Sequence, residues 1–101
     1  MMDRKECLHE AEKCVCSDRD QQYGSPCVNF TKIAELWSIY KGTKFSPKDV
    51  AAMMALLKIA RISSGQAKND NWLDACGYLA IGCEIESQMH DDGCRKYINS
   101  K

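Results

Sequence analysis

Lys58 and Arg61 stand three residues apart in the apolar run VAAMMALLKIARI, and Asp70 and Asp74 stand four apart in DNWLDACGY shortly after it. Two cations on one helical stripe can contact phosphate oxygens, the arginine through its planar fork and the lysine as a point charge. Two carboxylates one turn apart can hold a divalent cation such as magnesium or manganese, or orient a sugar hydroxyl. At 100° per residue Asp70, Asp74, Gly77, Tyr78 and Ile81 share one stripe, so antiparallel pairing of the two segments would set the carboxylates opposite the cations. Two chemistries fit that arrangement. In one, the four groups form a charge-paired seam, because buried charge is kept where it is paired and hydrogen-bonded. In the other they form a polyphosphate site, and both can coexist where the seam opens to a ligand.

The elements that must position these groups are helices, since the apolar residues recur with helical spacing and no run alternates as a strand would. The first helix spans about residues 3–19, with Leu8, Ala11, Cys14 and Val15 on one stripe, and the turn Tyr23-Gly24-Ser25-Pro26 breaks it. A second covers about 28–41, with Phe30, Ile33, Trp37 and Tyr40 as its buried stripe and Gly42 as its stop. The third has the clearest start: Ser46 precedes Pro47 at the first helical position, and Asp49 follows the serine by three. It runs to about residue 64, is apolar almost all round and should be the central helix. A fourth runs from near Asp70 to about Met89. Residues 1–90 thus read as one all-α, four-helix bundle-like domain, and residues 91–101 as a polar tail.

Lysine plus arginine number 14 and aspartate plus glutamate 14, so the net charge is zero, which argues against general nucleic-acid or membrane-surface binding. The longest apolar stretch falls well short of the roughly 20 residues a bilayer crossing requires. The charged start MMDRKECLHEAEK does not read as a signal peptide, so a cytoplasmic protein is expected. Seven cysteines are present with no C-x-x-C pair, which disfavours structural zinc and favours reduced thiols acting as small hydrophobes. Neither a nucleophilic triad nor a phosphate-cradling G-x-x-x-x-G-K-[ST] loop is present. Trp37 and Trp72 are expected to pack in the core and His9 to be solvated.

The succession YGSP, NFTKIAELW, DVAAMMALLKIAR and DNWLDACGY resembles a family of small, mostly phage-encoded helical proteins known only as a domain of unknown function. The likeness covers approximately residues 15–85, and the combined order is more specific than any one piece. More distantly, the order Y-G, K-x-x-R, D-x-W-x-D and G-Y is similar to the phage nucleotide-modification-associated domain, and through it to the MazG-like nucleotide pyrophosphohydrolases. The resemblance implies an oligomeric helical bundle in the bacterial host cell, with a pocket for a nucleotide or nucleotide-derived molecule. The positions it marks are Arg19, Tyr23, Asn29, Asp49, Lys58, Arg61, Asp70, Asp74 and Tyr78. Tyr23 reads first as a loop staple and second as a platform for a base.

Three functions follow. A phosphate-containing nucleotide-derived ligand could be held without turnover by Arg19, Tyr23, Asn29, Lys58, Arg61, Asp70, Asp74 and Tyr78. A MazG-like hydrolase would need a metal on Asp49, Asp70 and Asp74 to activate water, although the E-x-x-E pair of those enzymes has no counterpart here. A structural homo-oligomeric module would need neither. Self-association is expected in all three, because Val50, Met53, Met54, Leu56, Leu57 and Ile59 leave the third helix little face for solvent. Cys27, Cys76, Leu79 and Cys83 are candidates for a subunit contact.

Overall fold

The structure, a computed structural model, describes residues 2–18, 24–65 and 69–90, without the side chains of residues 17, 18, 89 and 90. Arg19, Tyr23 and the expected tail at 91–101 lie outside the described residues. Among those described, the chain is all-α with four α-helices: α1 (Arg4–Lys13), α2 (Pro26–Lys41), α3 (Pro47–Ser63) and α4 (Asn69–His90). The first helix is shorter than its apolar spacing suggests, because past Lys13 the chain passes into a π-helical turn, Cys14–Asp18. The second begins earlier than expected, with Pro26 in its first turn, where no backbone N–H is needed, and Ser25 at the extended N-cap.

Local chemistry sets the ends. At α3, the Ser46 hydroxyl accepts from the Asp49 N–H at 3.2 Å while the Asp49 carboxylate accepts from the Ser46 N–H at 2.9 Å, a reciprocal capping box. At α1, the Asp3 carboxylate accepts from the Glu6 N–H at 2.8 Å. Helix α2 stops at Gly42, whose φ of 69° suits a residue without Cβ and lets its N–H donate to the Ser38 carbonyl at 2.9 Å. The Ser38 hydroxyl accepts from the Phe45 N–H at 2.8 Å, which ties the loop leading to α3 back onto α2.

Helix α3 is central as expected, packing on α4 along one side and on α2 along another, while α1 rests on α4. The core joins Cys27, Phe30 and Ala34 of α2, Val50 and Ala51 of α3, and Ile81 and Ile85 of α4. Burying each of the larger side chains fully contributes about 1.5–3 kcal/mol. Trp37 closes one side of this core edge-on to Phe45, with ring centroids 6.1 Å apart. Helices α3 and α4 run antiparallel in a register read from three pairs: Lys48 with Glu86, Ala51 with Gly82, and Lys58 with Asp74.

Two close approaches use missing side chains. A Cβ on Gly82 would stand 3.2 Å from the Ala51 Cβ, so glycine opposite alanine brings α3 and α4 close together. A Cβ on Gly77 would stand 2.6 Å from Val15 Cγ1, so the π-helical turn seats on α4 only because residue 77 is glycine.

Several expected core residues lie elsewhere. Tyr40 is 86% exposed, because the buried arc of α2 centres on Cys27, Phe30 and Ala34 and Tyr40 falls beyond its edge; Ile33 and Trp37 are half-buried there. Trp72 and Leu8 are exposed rather than packed, and Cys14 is exposed while Ala11 is buried and Val15 half-buried. His9 is exposed, as its charged helix face suggests.

Candidate functional site

The seam foreseen between α3 and α4 exists as one ion pair. Lys58 Nζ lies 3.1 Å from Asp74 Oδ2, with the lysine side chain 13% exposed and the aspartate 39%. The lysine stem is therefore buried between the helices while its ammonium meets a carboxylate that still faces water. Arg61 and Asp70 are exposed, and among the described residues neither has an ion-pair partner. Both stand at the same end of the α3–α4 pair as Lys58 and Asp74, close to the loop that joins the two helices. That end thus presents one satisfied cation, one solvent-facing guanidinium and two carboxylates a turn apart.

The other positions singled out by the sequence fall elsewhere. Asp49 is engaged in the capping box at the far end of α3, nine residues from Lys58 and hence roughly 13 Å away along the helix. Because α4 runs antiparallel, Asp49 faces the end of α4 opposite to Asp70 and Asp74, so the three carboxylates are not brought together. Among the described residues no three histidine, cysteine, aspartate or glutamate side chains gather as a metal ion would require. Asn29 is half-buried in the first turn of α2, its N–H donating to the Ser25 carbonyl at 3.0 Å. Tyr78 is half-buried, its ring tilted against Phe30 with centroids 6.4 Å apart. Arg19 and Tyr23 belong to the residues not described.

A second feature has no counterpart in the sequence reading. At the Asp49 end an open groove of ≈ 440 Å³ runs between α3 and α4, floored by Ala51, Ala52 and Gly82 and walled by Tyr78 and Leu79. Lys48 and Glu86 cross its rim as an exposed pair at 3.4 Å, worth at most a fraction of a kcal/mol. The groove is a consequence of small residues on facing helices, a signal present in Ala51, Ala52 and Gly82 but legible only once their pairing is known. It offers an apolar floor with charged margins.

The outer side of α3 departs from a solvated helix. Met53, Leu56, Leu57 and Ala60 share one face at i, i+3, i+4 and i+7, and Met53, Leu56 and Leu57 are exposed, Leu56 by 60%. On α2, Leu36, Ile39 and Tyr40 form a comparable exposed stripe, Ile39 being 80% exposed. Of the cysteines placed at a subunit contact by the sequence, Cys83 is exposed beside exposed Leu79, Cys76 is half-buried, and Cys27 is fully buried and disulfide-bonded. Cys27 therefore departs from the expectation of reduced thiols, whereas Cys7, Cys16, Cys76 and Cys83 are free.

No described helix is long and apolar enough to cross a membrane. Residues 6–86 match the model of a family described as a domain of unknown function, DUF6378. The chain belongs to the DUF6378 family. It is also similar to the Gene 55 protein of Mycobacterium phage L5, 43% identical over 75 residues that make up 73% of this chain and 48% of the phage protein. The Gene 55 protein of Mycobacterium phage D29 is 40% identical over 76 residues, 75% of this chain and 49% of that protein. The chain spans about half the length of these curated relatives. No solved structure matches it. The likeness to small phage-encoded domains of unknown function thus stands, and it covers nearly the whole of α1–α4.

Proposed function

We propose that this DUF6378 chain is a self-associating helical module whose copies meet through the outer face of α3. The observation that carries this reading is the row Met53, Leu56 and Leu57, exposed on the central helix of the bundle. A solvated helix normally places polar residues there. Leu36, Ile39 and Tyr40 of α2 are exposed as well, and a standard interface takes about 800 Å² from each partner. Two α3 faces of this kind, related by a two-fold axis, bring each row against its own copy, as a self-complementary dimer contact requires.

The test is the mass of the full chain in solution, by sedimentation velocity and light scattering over a range of concentrations. A dimer or larger assembly is expected, with Leu56→Lys shifted to monomer while its helical circular dichroism and cooperative melt persist. A wild-type chain that stays monomeric at high micromolar concentration overturns the reading.

A second reading is favoured by Arg61. Its exposed guanidinium, without a carboxylate partner among the described residues, stands one turn beyond Lys58 and at the same end as Asp70. In this reading a phosphate-bearing, nucleotide-derived molecule binds at that end, its anionic oxygens on Arg61. The finer, MazG-like form of it adds magnesium or manganese on Asp70 and Asp74 and hydrolysis of a pyrophosphate bond. A nucleotide panel incubated with the protein and either metal, followed by mass spectrometry of supernatant and heat-released ligand, separates the two. Retained intact nucleotide lost in Arg61→Ala supports binding, nucleoside monophosphate lost in Asp74→Asn supports hydrolysis, and neither product leaves the self-associating module alone.

A further inference from the structure

Helix α4 carries an apolar stripe that the bundle leaves largely uncovered. Trp72, Cys76, Leu79 and Cys83 follow one another at intervals of four, three and four residues, the spacing that keeps side chains on one seam of a helix. Trp72 is 58% exposed and Leu79 57%, Cys83 is exposed and Cys76 half-buried. The stripe is distinct from the row of Met53, Leu56 and Leu57, which lies on α3. Its side chains are an indole, an isobutyl group and two thiols, and Glu86, three residues beyond Cys83 and exposed, brings the first charge in the same spacing. We infer that the α4 of a second copy of this chain, running antiparallel, covers the stripe, so that pairs joined through α3 assemble further through α4.

Size and charge set the direction. Large and small side chains alternate along the stripe, Trp72 and Leu79 against Cys76 and Cys83. In an antiparallel pair centred between Gly77 and Tyr78, Trp72 meets the partner's Cys83 and Cys76 meets the partner's Leu79. Every layer then sets a large side chain on a small one, as interdigitated helix packing requires. A parallel pair in register would crowd Trp72 against its own copy and leave thiol facing thiol. The antiparallel pair also sets Glu86 level with the partner's Asn69, whose amide can donate to the carboxylate, whereas the parallel pair would set carboxylate against carboxylate. The inference rests on the α3 contact proposed above. Four layers make a small contact by themselves, but a pair joined through α3 carries two stripes, and two such pairs can meet through two contacts at once. A chain without the α3 contact offers one stripe and stays monomeric at the same concentration.

The test is the mass of the full chain in solution, by sedimentation velocity and light scattering, for the wild type, Leu79→Lys and Leu56→Lys at one concentration. The expected masses are those of more than two copies, two copies and one copy in that order, each with the helical circular dichroism of the wild type. A wild type of two copies, unchanged in Leu79→Lys, overturns the α4 contact and leaves the α3 reading standing; a monomeric wild type overturns both. Cross-linking reads the direction. Trp72→Cys places a thiol opposite the partner's Cys83, and Cys7→Ala in the same chain removes the thiol that shares a small cavity with residue 72. After mild oxidation of the folded protein, tryptic mapping should show a disulfide between position 72 and Cys83. Within one helix these positions stand roughly 16 Å apart, so that bond joins two copies. A bond between the two copies of position 72, or none to Cys83, overturns the antiparallel contact.

Discussion

Asp74→Asn is the substitution that separates a structural seam from a ligand site. Asparagine keeps the shape of aspartate but removes its charge, leaving the Lys58 ammonium, on a side chain only 13% exposed, without its carboxylate at 3.1 Å. At an effective dielectric of about 20, the direct attraction at that distance is roughly 5 kcal/mol, most of it offset by desolvation of the ammonium. Asp74 is 39% exposed, so water screens the pair further. The expected loss is about 1–2 kcal/mol, above the about 0–1 of an exposed pair and below the about 3–5 of a broken buried one. For a domain of this size that lowers the melting temperature by roughly 5–15 °C. The assay is a thermal double-mutant cycle with Lys58→Met, which keeps the buried stem but removes the charge. Lys58→Met should be mild, because removing the ammonium also removes its desolvation penalty. In that background Asp74→Asn should change stability by less than about 0.5 kcal/mol, since the charge it strands is gone. Equal destabilisation by Asp74→Asn with and without Lys58 would refute the seam.

Two further outcomes are expected. Gly77→Ala places a methyl group 2.6 Å from Val15 Cγ1, so the π-helical turn must shift; amide hydrogen exchange should quicken across α1 while α3 and the core part of α4 keep their protection. Burial raises the Cys76 pKa above its ordinary 9.0. The native state therefore holds the thiol proton longer than the unfolded chain, and the stability this contributes is complete below about pH 9 and lost as pH rises through the raised value. Urea melts from pH 8 to 11 should show an alkaline decline that is smaller in Cys76→Ala, and identical declines would contradict the assignment.

Much of the architecture is written in local patterns. Ser46, Pro47 and Asp49 specify the start of α3 because a hydroxyl, a ring and a carboxylate three residues on satisfy that helix end without help from the rest of the chain. Gly42 ends α2 for an equally local reason, its left-handed backbone. Helical spacing marked the four helices, and opposite charges on Lys58 and Asp74 marked the face on which α3 and α4 meet. The likeness to phage-encoded helical domains was legible in the order of short motifs because each motif covers one turn or helix of the same bundle.

Only the tertiary structure decided which apolar residues are covered. A helix apolar on all sides carries no periodic mark of its solvent side, so the sequence determined that α3 would exceed its neighbours' capacity to bury it, while packing decided that Met53, Leu56 and Leu57 are the residues left outside. Tyr40 and Trp72 have the spacing of core residues and are exposed because the arcs their helices bury are centred elsewhere. The candidate carboxylates were divided in the same way: composition and spacing supplied Asp49, Asp70 and Asp74, and antiparallel pairing set Asp49 at the far end of α3.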